Sequence, residues 1–215
     1  MVRIKTLAHE DIQEDFLAGF RHEQHITAQW VQRDGMWVRT ETDILRAWDE
    51  GKKKWIPEYL KEQLGRGGFV LGAFIDVPGT GGDSDLIPSN GTGQLRQGFK
   101  DSMASGSQLA GFCSVDGILL GEHARYANLT MLFVDDRFQG RGIGGLLFRA
   151  IKQSACKLDA EKLFISAIPS VDTIAFYRAM GCADAEEIIP DFVDTEEDWY
   201  LECPLAGGAQ CITEK

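Results

Sequence analysis

Residues 131–145 join an apolar run to a glycine-rich segment and then to a helical pattern. The run Met131-Leu132-Phe133-Val134 leads through Phe138 into Gln139-Gly140-Arg141-Gly142-Ile143-Gly144-Gly145. This order predicts a strand, a tight turn and a helix. Glycines let a backbone approach a ligand closely, and the free amides and partial positive charge of a helix N-terminus suit a phosphate. The segment therefore predicts a phosphate or pyrophosphate site.

One interpretation of these glycines is a dinucleotide site. Gly140-x-Gly142-x-x-Gly145 matches the fingerprint G-x-G-x-x-G, and Asp159 or Glu161 follows about twenty residues later. That fingerprint normally opens a series of βαβ units, whereas only one more βα unit is predicted after it here. No Gly-Lys-Ser/Thr follows either, which excludes a Walker loop. The context therefore disfavours a Rossmann oxidoreductase.

A second interpretation explains two segments together. Residues 139–144, Gln-Gly-Arg-Gly-Ile-Gly, fit Q/R-x-x-G-x-G/A, and residues 169–182 carry Phe176-Tyr177 followed by Gly181-Cys182. Both segments resemble the GNAT superfamily of acetyl-coenzyme-A-dependent N-acetyltransferases, in their pyrophosphate loop and in a strand–helix segment ending in F-Y-x-x-x-G-F. Their order and spacing agree as well. The resemblance covers about residues 127–204 and is only topological before them.

The resemblance implies a set of residues that contact acetyl-CoA. The backbone of residues 132–134 would bind the pantetheine arm where the sheet splays open, and the amides of residues 140–145 would hold the pyrophosphate. Arg141 would add charge there, or is only a solvated loop side chain. Ser170 stands where many relatives have Asn, and it is equally an N-cap of the next helix. The full set is Leu132, Phe133, Val134, Gln139, Gly140, Arg141, Gly142, Ile143, Gly144, Gly145, Ser170 and Tyr177.

Tyr177 is the predicted catalytic residue, because it matches the tyrosine that protonates the departing thiolate in many relatives. A phenol is a neutral proton donor at pH 7. The general base stays unassigned, since the strand glutamate of some relatives is replaced by Ile165. Asn128 holding a water, Thr130 at an alternative acid position, and Glu122 near the preceding turn are the other candidates.

The predicted fold is α/β (α+β), with a single mixed, mostly antiparallel sheet flanked by helices. Helices are predicted for about residues 9–30, 42–64 (broken near Pro57), 142–158 and 170–180, and strands for about residues 2–7, 69–75, 109–120, 127–134, 163–168, 185–189 and 199–203.

Residues 1–205 would form one domain, interrupted by a glycine-rich inserted loop at 77–108, which is either a substrate flap or inert. Residues 206–215 would be a frayed tail. His22, His25, Trp30, Trp37, Trp48 and Trp55 would lie in the region that lines the acceptor side in relatives, or belong to the core.

Composition narrows the function. The chain has 215 residues and a net charge of −11, which disfavours nucleic acids and anionic membranes and favours cationic partners. The absence of an apolar leader predicts a cytoplasmic protein, and the five cysteines form no CxxC pair, so no metal is predicted. The expected reaction moves an acetyl group from acetyl-CoA to a primary amine of a small molecule or peptide by direct attack. Another acyl-CoA, a non-catalytic acyl-CoA-binding protein and a homodimer stay open.

Overall fold

The computed structural model describes residues 1–76 and 106–205, which form a seven-stranded sheet and a separate two-stranded hairpin. Three α-helices accompany them: α1 (Glu50–Gly65), α2 (Ile143–Cys156) and α3 (Val171–Ala179). The strands are β1 (Val2–Leu7), β2 (Glu23–Arg33), β3 (Met36–Ala47), β4 (Phe69–Asp76), β5 (Ser107–Leu120), β6 (Tyr126–Val134), β7 (Lys162–Ala167), β8 (Ala183–Asp184) and β9 (Trp199–Pro204).

The large sheet has the strand order β1-β4-β5-β6-β7-β9-β8. Its strand pairs are antiparallel except β6 and β7, which are parallel and joined through α2. This arrangement confirms the predicted mixed, mostly antiparallel sheet flanked by helices. The parallel pair matters most for the site. Two parallel neighbours need a crossover connection, and α2 supplies it, so the start of α2 follows the end of β6 in the chain.

Both faces of the sheet are covered. On one face α2 buries Leu147, Phe148 and Ile151, which recur at helical spacing, together with Ile174 and Tyr177 of α3. On the other face α1 buries Ile56 and Leu60, in a cluster that includes Phe112 of β5. Each face therefore anchors the helices that border the space between β6 and β7.

The helix predicted at 9–30 is wrong, and the one predicted at 42–64 begins only at residue 50. Residues 9–11 form a single 3-10 turn, and residues 23–47 form the β2–β3 hairpin. Asp34 and Gly35 have φ of 50° and 77°, the left-handed pair that a two-residue type I′ turn requires. The Asp34-Gly35 pair between alternating residues is a hairpin signal. It was overlooked because Ile12, Phe16 and Phe20 recur at helical spacing and suggested one long helix.

Smaller differences concern α1 and the chain end. The helix runs unbroken through Pro57, which is buried inside it, and only residues 50–64 of the predicted 42–64 are helical. The strand predicted at 185–189 is wrong: the two-residue strand β8 lies just before that range, and a 3-10 turn at Pro190–Phe192 follows it. Residues 77–105 of the inserted loop and the tail 206–215 lie outside the described residues, while Ser107 and Gln108 already belong to β5.

Helices of the described ranges are all too short or too polar to cross a membrane.

A buried carboxylate attaches the N-terminal segment to the end of β6. Asp135 is fully buried and accepts hydrogen bonds from the backbone amide of Arg21 (3.0 Å) and from the Arg137 amide, Nε and Nη2 (3.0, 2.8 and 2.6 Å). Arg137 Nη2 also donates to the carbonyl of Gly19 (2.6 Å). Burial alone would raise the pKa of Asp135, but the bonds from Arg137 and Arg21 outweigh it and lower the pKa.

We expect Asp135→Asn to lower the free energy of unfolding at pH 7 by about 2 to 4 kcal/mol, because it removes a charge that four donors surround. Since the folded pKa is lowered, this difference exists above the unfolded carboxyl pKa of about 3.9 and disappears as the pH falls through the folded value. Urea unfolding at pH 7 and at pH 3 measures it. The exposed Arg3–Asp76 pair provides the control, since Asp76→Asn should cost less than about 1 kcal/mol.

Candidate active site

The site begins where β6 and β7 separate. Their parallel pairing includes only Tyr126–Asn128 of β6, opposite Lys162–Phe164 of β7. Beyond Asn128, β6 continues to Val134 beside β5, and β7 continues to Ala167 beside β9. Among the described strands, none therefore pairs with residues 132–134 on the β7 side. This is the opening at which the resemblance predicts that the pantetheine arm binds.

A β-bulge lies at the apex of this opening. Ser114 of β5 faces Met131 while Val115 faces Leu129, so Thr130 is the extra residue of β6. The Thr130 hydroxyl lies 2.6 Å from Ser114 Oγ and also bonds the Tyr59 hydroxyl from α1. The bulge thus directs a polar side chain of β6 toward α1 instead of the adjoining strand.

The glycine loop follows β6 as predicted. Gly140 and Gly142 have φ of 72° and 76°, and a Cβ at either would meet no atom within 4 Å. Gly142 is the N-cap of α2, whose first turn carries no acidic residue. Within the described residues, no backbone or side-chain acceptor binds the amides of residues 140–145. Open space, free amides and a helix N-terminus together fit a phosphate group.

The other residues of the loop have different surroundings. Gln139 lines the space between β6 and β7, and its Nε2 donates to Asp136 Oδ1 (2.9 Å). Arg141 is exposed, with its guanidinium over the Phe138 ring. The side chain of Ile143 is buried in the core, so only its backbone is available to a ligand. Gly144 lies under Phe176, where a Cβ would come within 3.3 Å of the ring, and Gly145 is buried.

Ser170 is the N-cap of α3, the second of the two roles considered for it. Its hydroxyl accepts from the Thr173 amide (3.2 Å) and donates to Thr173 Oγ1 (2.7 Å), and the side chain is buried. Gln24 Nε2 of β2 also donates to it (3.3 Å), and the Trp30 amide bonds the Pro169 carbonyl (2.7 Å). The hairpin is therefore attached to the start of α3. Contact of Ser170 with a cosubstrate stays a prediction.

Tyr177 lies on α3 facing the sheet. The residue is 8% exposed, and its ring packs against Phe148 at 5.8 Å between centroids. Burial, with the nearby sulfurs of Cys182 and Cys113, raises the pKa of Tyr177 well above its usual range. Tyr177 lines the same cavity as residues 132–134. A neutral phenol is therefore held beside the opening between β6 and β7.

One cavity of about 750 Å³ unites these parts. We call it the central cleft. Its walls come from β6 and β7, from the start of α3, from α1, from residues 22–25 and Arg46 beside or on the hairpin, and from the segment before β9. Its lining includes Leu132, Phe133, Val134, Gln139, Thr173 and Tyr177 at one end, and Lys52, Trp55, Tyr59, Asp194, Thr195 and Asp198 at the other.

The base candidates from the sequence are distributed unevenly. Ile165 is buried in the core, as expected for a position without an acid. Thr130 lines the cleft and Asn128 is half-buried at the last β6–β7 pair. Glu122 precedes β6, at the end opposite the glycine loop, and its amide donates to Glu187. None of these supplies a carboxylate to the cleft.

Glu23, Asp172, Asp194 and Asp198 line the cleft, and sequence reasoning missed them as base candidates. Asp194 and Asp198 belong to the segment between β8 and β9, and Ser166 of β7 connects them: its hydroxyl accepts from the Asp194 amide (3.1 Å) and donates to Asp198 Oδ2 (2.8 Å). Within the described residues the Asp194 carboxylate has no hydrogen bond or ion pair. Burial, and then the charge of Asp198, raise the pKa of Asp194. The acidic run after Val193 was the signal in the sequence.

The aromatic residues of the predicted acceptor side divide between core and cleft. Trp48 packs against Phe20 and Phe133, while Trp37 stacks on Trp199 at 4.2 Å with Trp30 beside it. Trp55, His22 and His25 line the cleft. His22 lies between Trp48 and Phe133, and burial lowers its pKa, so it is neutral at pH 7. Of the four tryptophans, only Trp55 contributes to the cleft wall.

Comparison with known proteins gives the same fold. A family model, the acetyltransferase (GNAT) domain, matches residues 94–189. A nourseothricin acetyltransferase superposes with a TM-score of 0.59 at 15% identity, covering 95% of this chain and 99% of that one. A Bacillus anthracis str. Ames protein described as a streptothricin acetyltransferase, solved with acetyl coenzyme A, has a TM-score of 0.55 at 13% identity, covering 95% and 99%.

A GNAT-family acetyltransferase from Staphylococcus aureus Mu50 superposes with a TM-score of 0.53 at 12% identity, covering 96% of this chain and all (100%) of the other. No curated protein matches the chain in sequence. At these identities the solved structures establish the fold alone. Residues 94–189 match the GNAT acetyltransferase domain model, and the chain has the fold of these acetyltransferases, with its split parallel strands and the glycine loop at the start of α2.

Proposed function

We propose that the protein is an N-acetyltransferase that moves an acetyl group from acetyl-CoA to a primary amine of a cationic acceptor. One observation carries this proposal: a single cleft is lined by the separated β6 strand and Tyr177 and also by the carboxylates of Asp194 and Asp198. The strand and the tyrosine suit an extended acyl thioester, and the carboxylates suit an ammonium group. The net charge of −11 also favours a cationic acceptor.

The residues of the chain fit acetyl-CoA. The free backbone groups of Leu132, Phe133 and Val134 would bind the pantetheine arm, and the amides of residues 140–145 would bind the pyrophosphate. Gln139 and Arg141 border that loop, and Ser170 supports α3 beside it. Acetyl-CoA supplies the activated acetyl group. The cleft residues orient it and exclude water.

Direct attack by the amine is the proposed route. Among the described residues, the free cysteines Cys113, Cys182 and Cys203 are buried and none of them lines the cleft, so none of these three is placed to carry an acyl group. Asp194 would hold the acceptor ammonium and take its proton, directly or through one water. Tyr177 would donate a proton to the leaving thiolate. The hydroxyls of Tyr59 and Thr130 belong to the same cleft lining.

The first experiment is isothermal titration with acetyl-CoA, with NADH as the control. We expect micromolar binding of acetyl-CoA and none of NADH. Thiol release is then measured with diamines, lysine peptides and a nourseothricin-type antibiotic, the last because of the acceptor that one structural neighbour is named for. Binding without turnover would support a non-catalytic acyl-CoA-binding protein, and faster turnover of propionyl-CoA or succinyl-CoA would support a different acyl donor. Preference for NADH would contradict the proposal.

We expect Asp194→Asn to raise the acceptor KM about 10-fold to 100-fold and to leave the affinity for acetyl-CoA unchanged, because it removes the charge that meets the ammonium. Steady-state kinetics with a diamine measure this. Asp191→Asn is the matched control, since Asp191 is exposed on the same segment and does not line the cleft. An unchanged KM in the Asp194 variant would contradict the assignment.

A cytoplasmic location and a homodimer are also proposed, as the composition and the resemblance suggest. Cell fractionation tests the location. Light scattering tests the assembly against a chain mass of 23.8 kDa.

A further inference from the structure

A lysine and two cysteines form a buried cluster outside the central cleft. Cys203 of β9 and Cys182, which follows α3, are both free and buried. The ammonium of Lys152, on α2, lies 3.2 Å from Cys203 Sγ. None of the three residues lines the cleft within the described part of the chain, so the proposed reaction does not use them.

The backbone holds the two cysteines directly opposite each other. β8 and β9 are antiparallel, with Ala183 facing Glu202 and Asp184 facing Leu201. One step further along the same register places Cys182 opposite Cys203, with both side chains on one face. Directly opposite residues in antiparallel strands have Cα atoms about 4.5 to 5.5 Å apart, within the range that a disulfide spans. The side chains of Cys182 and Cys203 interact with each other, and Cys203 Sγ also lies 3.9 Å from the Met180 carbonyl oxygen and 3.8 Å from that of Pro204.

The surroundings make Cys203 the nucleophilic member. It interacts with the Cys182 side chain and with the ammonium of Lys152, and these lower the pKa of Cys203 to about 6 despite its burial. The same interaction with Cys203 raises the pKa of Cys182, with burial, although Lys152 and Arg178 act in the opposite direction. Cys113 is also buried but has no cationic partner, and burial raises its pKa. A thiolate beside a thiol is the arrangement of an oxidisable dithiol.

We propose that Cys203 and Cys182 are a modification site for hydrogen peroxide or a similar small peroxide, which converts them to a disulfide. The Cys203 thiolate attacks one peroxide oxygen and the O–O bond breaks. Hydroxide departs with the electron pair of that bond, and Cys203 becomes a sulfenic acid. The Cys182 sulfur then attacks the Cys203 sulfur, and the displaced hydroxyl group takes the Cys182 proton and leaves as water. In total the two thiols lose two electrons and two protons, and one peroxide becomes two waters.

Access to the pair comes through the edge of the sheet. β8 is the outermost strand and only two residues long, so a small local opening exposes both sulfurs. The disulfide would tie the end of α3 to β9. Because the Cys182 amide donates to the Tyr177 carbonyl (3.0 Å), the oxidised bond would restrain the segment that follows Tyr177.

Peptide mapping after treatment with hydrogen peroxide and alkylation tests the proposal. Trypsin leaves both cysteines on one peptide, so cleavage after glutamate is used to separate them. We expect a peptide cross-linked through Cys182 that dithiothreitol reverses and that is lost in Cys203→Ser. The Cys113→Ser control should form it at the wild-type rate.

Lys152→Met keeps the length of the side chain and removes the charge. We expect it to slow disulfide formation about 10-fold, because less of Cys203 is thiolate at pH 7. Its melting temperature is measured in parallel to show that the variant is folded. Absence of the cross-link in the wild type, oxidation of Cys113 before the pair, or an unchanged rate in folded Lys152→Met would each overturn the proposal.

Discussion

Gly142→Asp is expected to weaken acetyl-CoA binding at least about 100-fold, to the point where titration detects none. The new carboxylate would stand at the N-terminus of α2, among the free amides of residues 140–145 that we assign to the pyrophosphate. Like charges would then face each other where the helix dipole otherwise favours an anion. Isothermal titration with acetyl-CoA measures the loss.

Two control variants separate charge from backbone strain and size. Gly35 in the β2–β3 turn has φ of 77°, against 76° at Gly142, and a Cβ at either position meets nothing within 4 Å. Gly35→Asp therefore carries a similar strain and should bind acetyl-CoA like the wild type. Gly142→Asn has the size of the aspartate without its charge and should bind more tightly than Gly142→Asp. Unchanged binding in Gly142→Asp would mean that the loop is only structural.

Tyr177→Phe is expected to lower kcat by about 10²-fold to 10⁴-fold, the range for loss of a positioned general acid, with little change in the affinity for acetyl-CoA. The phenylalanine keeps the ring that packs against Phe148, so the fold should be preserved. Because the pKa of Tyr177 is raised, the phenol of the wild type stays protonated through pH 10, and kcat should not fall there from its ionisation. Steady-state kinetics with acetyl-CoA and a diamine measure both effects.

Tyr126→Phe is the matched control for this variant. Tyr126 is also buried, but its hydroxyl donates to Glu202 (2.7 Å) and it lies outside the cleft. Loss of that bond should lower stability by about 1 kcal/mol or more without lowering kcat. Equal kcat in wild type and Tyr177→Phe would remove Tyr177 from the mechanism. The acceptor end would then have to supply the proton.

The elements around the glycine loop could be predicted because their signals are local. The apolar run that becomes β6, the turn with Gly140 and Gly142, and the amphipathic period of α2 are consecutive in the chain, and each residue type constrains its own backbone. The N-cap at Ser170 and the helix with Tyr177 are equally local. One hydrophobic cluster then packs both of these helices against the sheet, which the sequence pattern also indicates.

Residues 9–49 could not be predicted in the same way, although the strand at residues 2–7 was. The apolar residues among 9–49 repeat at helical spacing, yet the chain turns at Asp34-Gly35 and pairs β2 with β3, and Trp37 stacks on Trp199 near the other end of the chain. Hydrophobic spacing records that residues are buried but not which partner buries them. Where contacts between distant residues stabilise an element, they override its local helical pattern.

The sequence by itself determined a GNAT-like sheet, its glycine loop and its tyrosine, because each depends on neighbours within a few residues. Only the tertiary structure decided what faces them across the cleft. Asp194 and Asp198 line the same cleft as Tyr59 and Thr130 because β9 pairs with β7, while β6 separates from β7. Lys152 contacts Cys203 because α2 crosses behind the same strands. These contacts depend on strand order and on where one parallel pair ends. Neither is encoded in the spacing of the residues that come together.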